Sequence, residues 1–452
     1  MEKKKSLDLT QGTIWKVLLA FILPILAGSL IQQLYTTVDA IIVGQFAGKT
    51  GLAAIDSVYT LFKFPINFLN GLSAGATIVI SGFFGQKNEE EMDCSIHTGY
   101  TIAIVLGVVC SVAGVIFAPQ LLHLMAVPED IFGMTLTYVR IYFGGLWTLT
   151  LYNMVAGILR AFGDSKSPFF ILIACCIVNI AGDLLLVGAF HMGVAGAAIA
   201  TIAAQLISAL LAMRALAHEH EDCHMNVWQI RFCAEHMPQM LKIGFPLGLQ
   251  SILFPIANSI VQASINARGT DVIAAWAVCG KLDMMIWLVA DAMSPALSTY
   301  CAQNLGAKRP DRVAKGAYLG TAMSVGVVGL MSVLLFIFAG PLGGLFVAKA
   351  DAVALSPYVI KYMRMMCPFY IFYSVAEAFS GAVCGLGETV KSMIITMICT
   401  CGLRVFAIFF ILPMFQTMEC IVWIYIASWI VTGVSFTCMF LYKKGKLEAN
   451  PA

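Results

Sequence analysis

Asp39, Asn179 and Asp183 lie inside stretches apolar enough to be buried in lipid, where an ionisable side chain is costly and marks function by default. Asn179 and Asp183 are four residues apart, one helical turn, and so stack on one face. Thr201 and Gln205 repeat that spacing in the next apolar stretch. Counted from Gly44, Gly188 and Gly193 at about 1.5 Å per residue, Asp39, Asp183 and Thr201 fall roughly 7–12 Å below the same membrane surface, with Asn179 and Gln205 one turn deeper, so they can meet if their helices are neighbours. Two carboxylates, an amide and a hydroxyl form a hard-oxygen set suited to a proton, a sodium ion or both. Two adjacent carboxylates do not both stay ionised, so one holds a proton that it can release. The plainer alternative is that these groups only bond across helices.

The elements that must position them follow from composition. Of 452 residues, 60% are hydrophobic and 12% charged, against about 25% charged in an average globular domain. That balance excludes a soluble or disordered chain. Lys+Arg 27 against Asp+Glu 25 gives a net +2, which calls for no nucleic acid. The expectation is an all-α polytopic membrane protein embedded in the lipid bilayer. Apolar runs fall at 15–44, 53–83, 99–118, 134–159, 168–189, 193–216, 243–266, 273–302, 316–339, 354–385, 392–413 and 418–442, which gives twelve spans. The longest polar stretch divides them six and six: an N-terminal lobe over 1–217, a cytoplasmic linker over 218–239 and a C-terminal lobe over 240–452. The first run, from Ile14 to Gly44, is too long for a cleavable leader and has no small-residue site after it. Most of the fourteen cysteines sit in apolar runs as small apolar residues.

With the N-terminus inside, eighteen of the 27 Lys and Arg fall in inner loops and termini, among them Lys3–Lys5, Lys87, Arg160, Lys308 and Lys443. Both ends are therefore expected in the cytoplasm of a cell inner (cytoplasmic) membrane. The halves also resemble each other. At an offset near 221, Pro24 meets Pro246, Gly48 meets Gly269 and Gly85-x-Lys87 meets Gly306-x-Lys308. The offset then drifts: Tyr138 and Tyr142 meet Tyr358 and Tyr362, and Gly157, Gly163 and Asp164 meet Gly381, Gly387 and Glu388. Repeats of six spans share one orientation, and transporters built this way hold substrate between the halves. The duplication is a control, because Asp39 aligns near Val261, Asn179 near Leu403 and Asp183 near Ala407. The second half builds the same helices without these acids. Pro24 and Pro246 remove backbone donors inside spans, and Gly71-x-x-x-Gly75, Gly316-x-x-x-Gly320 and Gly381-x-x-x-Gly385 allow close helix contact.

The second half offers other polar groups: Gln250, Asn258 and Gln262 in span 7, Lys281, Asp283 and Asp291 in span 8, and Glu377 in span 10. Lys281 and Asp283 could pair with each other, and Arg404 could be the partner of Asp291 or Glu377. Gln33, Gln205, Gln250, Gln262, Asp291 and Glu377 are the candidate lining of a substrate cavity. Met284, Trp287, Phe369 and Tyr373 could suit such a cavity or simply face lipid. The run His218-x-His220-x-x-Cys223-His224, with Cys233 and His236 after it, lies in the polar stretch between the apolar runs and reads as a polar linker despite an HExxH match at residues 220–224. No GxxxxGK[ST] or DDxxD pattern occurs, so a nucleotide-driven pump has no foothold.

Leu9-Thr-Gln-Gly-Thr-Ile-Trp15-Lys16, Leu23-Pro24-Ile25, Tyr35-Thr-Thr-Val-Asp39-Ala-Ile-Ile-Val-Gly44 and Gly51-Leu-Ala-Ala-Ile55 resemble the opening of multidrug and toxic compound extrusion (MATE) transporters. Arg160-Ala-Phe-Gly163-Asp164, Asn179-x-x-x-Asp183 and Gly306-Ala-Lys308 continue the likeness over nearly the whole chain. The resemblance implies twelve transmembrane helices as two pseudo-symmetric six-helix lobes in a V. It also implies antiport of small-molecule organic cations against H+ or Na+, with no other cofactor, by a monomer. The first-lobe site of DinF-like and related prokaryotic members carries over to Asp39, Asn179, Asp183, Thr201 and Asn153. NorM-like members have a carboxylate in span 7, where this chain has only Gln250, Asn258, Gln262 and Asn266. The likeness is therefore closer to the DinF-like type.

The function expected is a secondary active multidrug exporter, with Pro24 as a hinge that lets span 1 bend as Asp39 changes charge. The rival within the same superfamily is a lipid-linked oligosaccharide flippase. It would want more basic residues in the membrane than Lys63, Lys281 and Arg404.

Overall fold

The computed structural model describes residues 7–219, 233–346 and 349–449, with side chains over 7–217, 233–346 and 355–449. His218 and the run from His220 to His224 therefore lie outside the described side chains. The order is α1 (Ile14–Phe46), α2 (Gly48–Gln86), α3 (Glu89–Leu124), α4 (Glu129–Gly144), α5 (Leu146–Ala161), α6 (Lys166–Asp183), α7 (Gly193–Glu219) and α8 (Met237–Asn266), followed by α9 (Thr270–Gly306), α10 (Pro310–Gly343), α11 (Lys349–Met366), α12 (Tyr370–Gly385), α13 (Thr389–Ile395), α14 (Leu403–Phe410), α15 (Leu412–Phe415) and α16 (Met418–Ala449). Wider π-helical turns follow α6 (Leu184–Ala189) and α13 (Thr396–Gly402). No strand occurs among the described residues.

Among the described residues, eleven helical segments are long and apolar enough to cross a membrane. The twelfth span is the α4–α5 pair, two helices of 16 residues each that meet at Gly145. The matching span of the second half breaks at the same place, where the 3-10 turn Cys367–Phe369 carries Pro368, which has no donor to continue the helix. The drift in repeat offset, from Tyr138 and Tyr358 to Gly157 and Gly381, falls across these breaks. α2 and α9 run 39 and 37 residues, well past the apolar stretches that betray them. Their C-terminal ends stay helical after the sequence turns polar, which hydropathy does not register. Leu34, Ile116, Phe170, Ile177, Leu330 and Phe409 are more than half exposed. Such a surface is untenable in water but suits lipid, which favours apolar side chains on backbone that is satisfied internally.

The duplication is written in the backbone as well. Left-handed residues fall in pairs at the repeat offset: Gly48 with Gly269, Lys87 with Lys308, and Gly163 with Gly387. His191 and Gln416 extend the series. A non-glycine residue at positive φ is uncommon, so Lys87 (φ 55°) and Lys308 (φ 54°) ending α2 and α9 alike mark a shared turn. After Gly163, Asp164 accepts hydrogen bonds from the Lys166 and Ser167 amides. After Gly387, Glu388 takes an ion pair with Lys391 at 3.0 Å and another with Lys443.

The chain forms two compact units. The first comprises Met1–Asp8 and Ala20–Gly248, the second Leu9–Leu19 and Leu249–Ala452. The division thus falls inside α1 and α8, not within 218–239 where polarity places it. In the first unit Val58, Phe62, Leu72, Val139, Phe143 and Ala198 form the core. Its α8 stretch closes on α2 through glycines: a Cβ at Gly71 would lie 2.2 Å from the Gly248 nitrogen, and one at Gly75 would lie 2.4 Å from the Gly244 backbone. In the second unit Ile265, Ile286, Tyr362, Tyr370, Tyr373 and Trp429 belong to the core. Cβ atoms at Gly381 and Gly385 would lie 2.1 and 2.3 Å from the carbonyl oxygens of Ser294 and Ser298. All three spaced glycine pairs are therefore packing positions, since Gly316 and Gly320 likewise abut Tyr300 and Leu297.

Two segments outside the spans are fastened by polar contacts. In the second unit the Leu9 amide donates to Gln303 Oε1 at 3.2 Å, Arg309 donates to the Thr10 carbonyl at 2.8 Å and Arg312 to the Gly12 carbonyl at 3.0 Å. In the first unit Cys233 is disulfide-bonded to Cys94 of α3. Beside that bond, His236 meets Glu91 at 2.6 Å and Thr98 donates to the Cys233 carbonyl at 3.2 Å.

Replacing Gly75 or Gly381 by alanine should lower the unfolding midpoint of the detergent-solubilised protein, by about 1–3 kcal/mol in stability, as overpacked sites do. Gly82→Ala, where a Cβ meets nothing within 4 Å, should be neutral or stabilising. Equal thermal shifts for all three would refute the packing account.

Candidate functional site

α1, α4, α6 and α7 bring one polar cluster together in the first unit. Asn179 and Asp183 are fully buried in the last turns of α6, and Thr201 of α7 is 8% exposed. Asn179 and Thr201 side chains lie 3.3 Å apart. With the Asn179 amide turned to match its neighbours, its nitrogen donates to Asp183 Oδ2 at 2.9 Å and its oxygen accepts from the Thr201 amide at 3.2 Å. Asp39 of α1 reaches the same place, where its carboxyl and that of Asp183 interact side by side. One oxygen of each, Asp39 Oδ1 and Asp183 Oδ1, is buried with no hydrogen-bond partner. Unsatisfied carboxylate oxygens in a buried site are what a proton or small cation would fill. The π-helical turn begins at Leu184, directly after Asp183. π-bulges recur at functional sites because the widened turn frees backbone groups from the regular ladder.

Around the acids stands a ring of tyrosines that the reading of charge does not single out. Tyr35, one turn before Asp39, lies beside Thr201. Tyr142 of α4 lies beside Gln205 and stacks at 5.9 Å on Tyr138, itself buried. The phenols supply donors that a charged carboxylate can use without adding charge. Their one available signal in sequence is spacing, Tyr35 to Asp39 and Tyr138 to Tyr142 each being one turn. Asn153 sits elsewhere in α5, donating to Asn70 Oδ1 of α2 at 2.7 Å. Gln33 is exposed on α1, and six residues separate it from Asp39, which places it on a different face.

The second unit holds a separate polar cluster. Asp291 accepts from Tyr373 at 2.8 Å. Glu377, Tyr373, Arg404, Phe254, Thr400 and Trp429 are among the residues lining a narrow pocket. Arg404 is 1% exposed, and its bonds go to Asn258 Oδ1 at 2.8 Å and Ser428 Oγ at 2.9 Å, with its plane 4.3 Å from the Tyr425 ring. It is therefore held by neutral groups rather than by Asp291 or Glu377. Asp283 is buried and accepts from Tyr370, while Lys281 is exposed. Residues two apart on a helix do not face each other, so the Lys281–Asp283 pairing does not form. Gln250 has a buried Oε1 without a partner, and Gln262 donates to Asn266 at 2.9 Å. No group of three or more His, Cys, Asp or Glu among the described residues is arranged to hold a metal ion. The oxygens at Asp39, Asn179, Asp183 and Thr201 are the set that could take sodium.

Comparison with known proteins places the fold and the family. The MatE family profile matches residues 24–185 and 246–410, one segment in each repeat. The probable multidrug resistance protein YoeA of Bacillus subtilis is 27% identical over 431 residues, covering 93% of this chain and 91% of that protein. A crystal structure of MATE in the bent conformation superposes with a TM-score of 0.91 at 19% identity, covering all of both chains. A MOP superfamily transporter from Pyrococcus furiosus gives 0.88 at 19% identity over 99% of this chain and all of that one. These structures share the two-lobed helical fold. With the profile spanning both halves of a duplicated, all-helical membrane protein, the chain belongs to the MatE family, whose members are transporters and not enzymes.

Proposed function

We propose that this protein is a secondary active multidrug exporter of the cell inner membrane, moving cationic, amphipathic organic compounds outward by antiport against protons or sodium ions. The observation that carries it is the pair of buried carboxyls, Asp39 and Asp183, each with an unpartnered oxygen and both framed by Asn179 and Thr201. YoeA is named for probable multidrug resistance, and the family is one of transporters. The split of Lys and Arg between loops supports cytoplasmic termini. A single chain builds the whole cluster, so a monomer suffices.

Deprotonated Asp39 and Asp183 attract a cation from outside, Asn179 and Thr201 supply neutral oxygens, and the tyrosines shield the site from lipid. The ion drives export only as far as its affinity differs between the two conformations. Pro24 lies inside α1, fifteen residues before Asp39, with no amide hydrogen to hold that turn, so α1 can bend there as the charge on Asp39 changes. No observation favours the oligosaccharide flippase: the buried arginine, Arg404, is already engaged by Asn258 and Ser428.

In proteoliposomes, a fluorescent organic cation should move when a pH gradient or a sodium gradient is imposed separately, and one of the two should suffice. Asp39→Asn should reduce movement to the gradient-free background; wild-type rates in that variant would sink the mechanism. Thr201→Ala and Asn179→Ala each remove a bond to a charged site, worth about 1.5–3 kcal/mol. They should raise the coupling-ion concentration at half-maximal rate roughly tenfold or more, while Asn153→Ala, tied to Asn70, should move it less. A larger effect at Asn153 than at Thr201 would displace the site toward α5.

A further inference from the structure

The charge-bearing clusters account for export, but they leave the contacts of Cys233 unused. Cys94 and Cys233 lie with Cα atoms 5.8 Å apart, within the range a disulfide requires. Both are partly exposed, unlike most of the other described cysteines, which sit inside spans. Cys94 is in the second turn of α3, and Cys233 precedes α8 by four residues. Glu91 with His236 and Thr98 with the Cys233 carbonyl hold the two segments in place whether or not the sulfurs are joined.

The other repeat shows what this position does. At the offset of 221 defined by Gly48 with Gly269 and Lys87 with Lys308, Cys233 corresponds to Gly12 and Glu91 to Arg312. Arg312 donates to the carbonyls of Leu9, Gln11 and Gly12. Each repeat thus fastens the segment before its first span to the start of a third-span helix. One fastening uses a guanidinium that no thiol reagent alters; the other uses a pair of thiols.

We infer that Cys94 and Cys233 are a reversible thiol–disulfide modification site that fastens the entry of α8 to α3. On the inner face given by the basic residues, the reduced thiol pool keeps the pair as two thiols. A small-molecule disulfide such as oxidised glutathione closes it. One thiolate attacks the reagent, forming a mixed disulfide and releasing one glutathione. The second thiolate then displaces the other glutathione, so two protein thiols are oxidised and one disulfide is reduced to two thiols. The first unit retains α8 only as far as Gly248. Closing the bond pins that end of the helix and slows any step in which α8 must shift. This last consequence rests on the export function proposed above; the chemistry of the site does not.

Membrane vesicles holding the full-length protein would be treated with oxidised glutathione or dithiothreitol, blocked with N-ethylmaleimide and digested without reductant. Mass spectrometry should find peptides joined through Cys94 and Cys233 after the first treatment and lost after the second. The oxidised wild type should also unfold at a higher temperature than the reduced, whereas Cys94→Ser and Cys233→Ser should unfold alike in both. Export of the fluorescent cation should fall on oxidation, return with dithiothreitol and ignore both reagents in either variant. Absence of the joined peptides, or an unfolding shift that persists in Cys94→Ser, overturns the site. Joined peptides with undiminished export overturn the lock. Failure of export in every sample would count against the transport function alone, because peptide linkage and unfolding still decide the site.

Discussion

Lipid cannot solvate an isolated charge or an unpaired peptide group, and nearly everything in this molecule answers to that. Backbone groups are satisfied within helices, and the wide turns and breaks fall beside buried polar clusters or at Gly145 and Pro368. Where charge enters the apolar interior, polar or aromatic groups gather around it. Asp39 and Asp183 stand together with an amide and a hydroxyl, whereas Arg404 is surrounded by Asn258, Ser428 and the face of Tyr425. The two solutions differ in kind. The arginine is bonded through Nε and Nη1, whereas the two carboxyls keep an oxygen each without a partner.

Duplication makes that contrast informative. The halves share their left-handed turns, a broken fourth span and glycine contacts that let backbones touch. They do not share the chemistry at the equivalent helix, where α6 carries Asn179 and Asp183 and the second repeat carries Arg404 one residue from the Asn179 position. Even the π-helical turns are displaced, following the acid in one repeat and preceding the arginine in the other. Architecture is held in common and charge is not, so folding alone does not demand the charges.

Much of this is legible in sequence, for physical reasons. Acids in apolar runs stand out because lipid penalises them, and the one-turn spacing of Asn179 and Asp183 places them on one face. Glycine pairs four apart in spans announce close contact, and the structure finds backbone or a ring against each. Partnerships between distant residues are not legible. Asp283 turns to Tyr370 rather than Lys281, and Arg404 to Asn258 and Ser428, because three-dimensional neighbours outrank chain neighbours once helices pack. Tyr35, Tyr138 and Tyr142 escape notice because aromatic residues are ordinary in apolar spans. Cys94 and Cys233 escape it because 139 residues separate them and no spacing rule links them. The unit boundary inside α8 is hidden for another reason: polarity marks where the chain leaves the membrane, not where its packing changes allegiance.

That change of allegiance bears on how such a molecule could have arisen. Leu9–Leu19 opens the first repeat yet packs with the second unit, and the residues from Cys233 to Gly248 open the second repeat yet pack with the first. Each repeat therefore lends its leading segment to the other, the arrangement of a domain-swapped dimer whose chains have since been joined. An ancestor with one repeat would have found this packing only as a pair of chains, each completing its neighbour. Fusion then freed the two copies to diverge, one keeping the acids and the other an arginine, without either losing the partner it folds with.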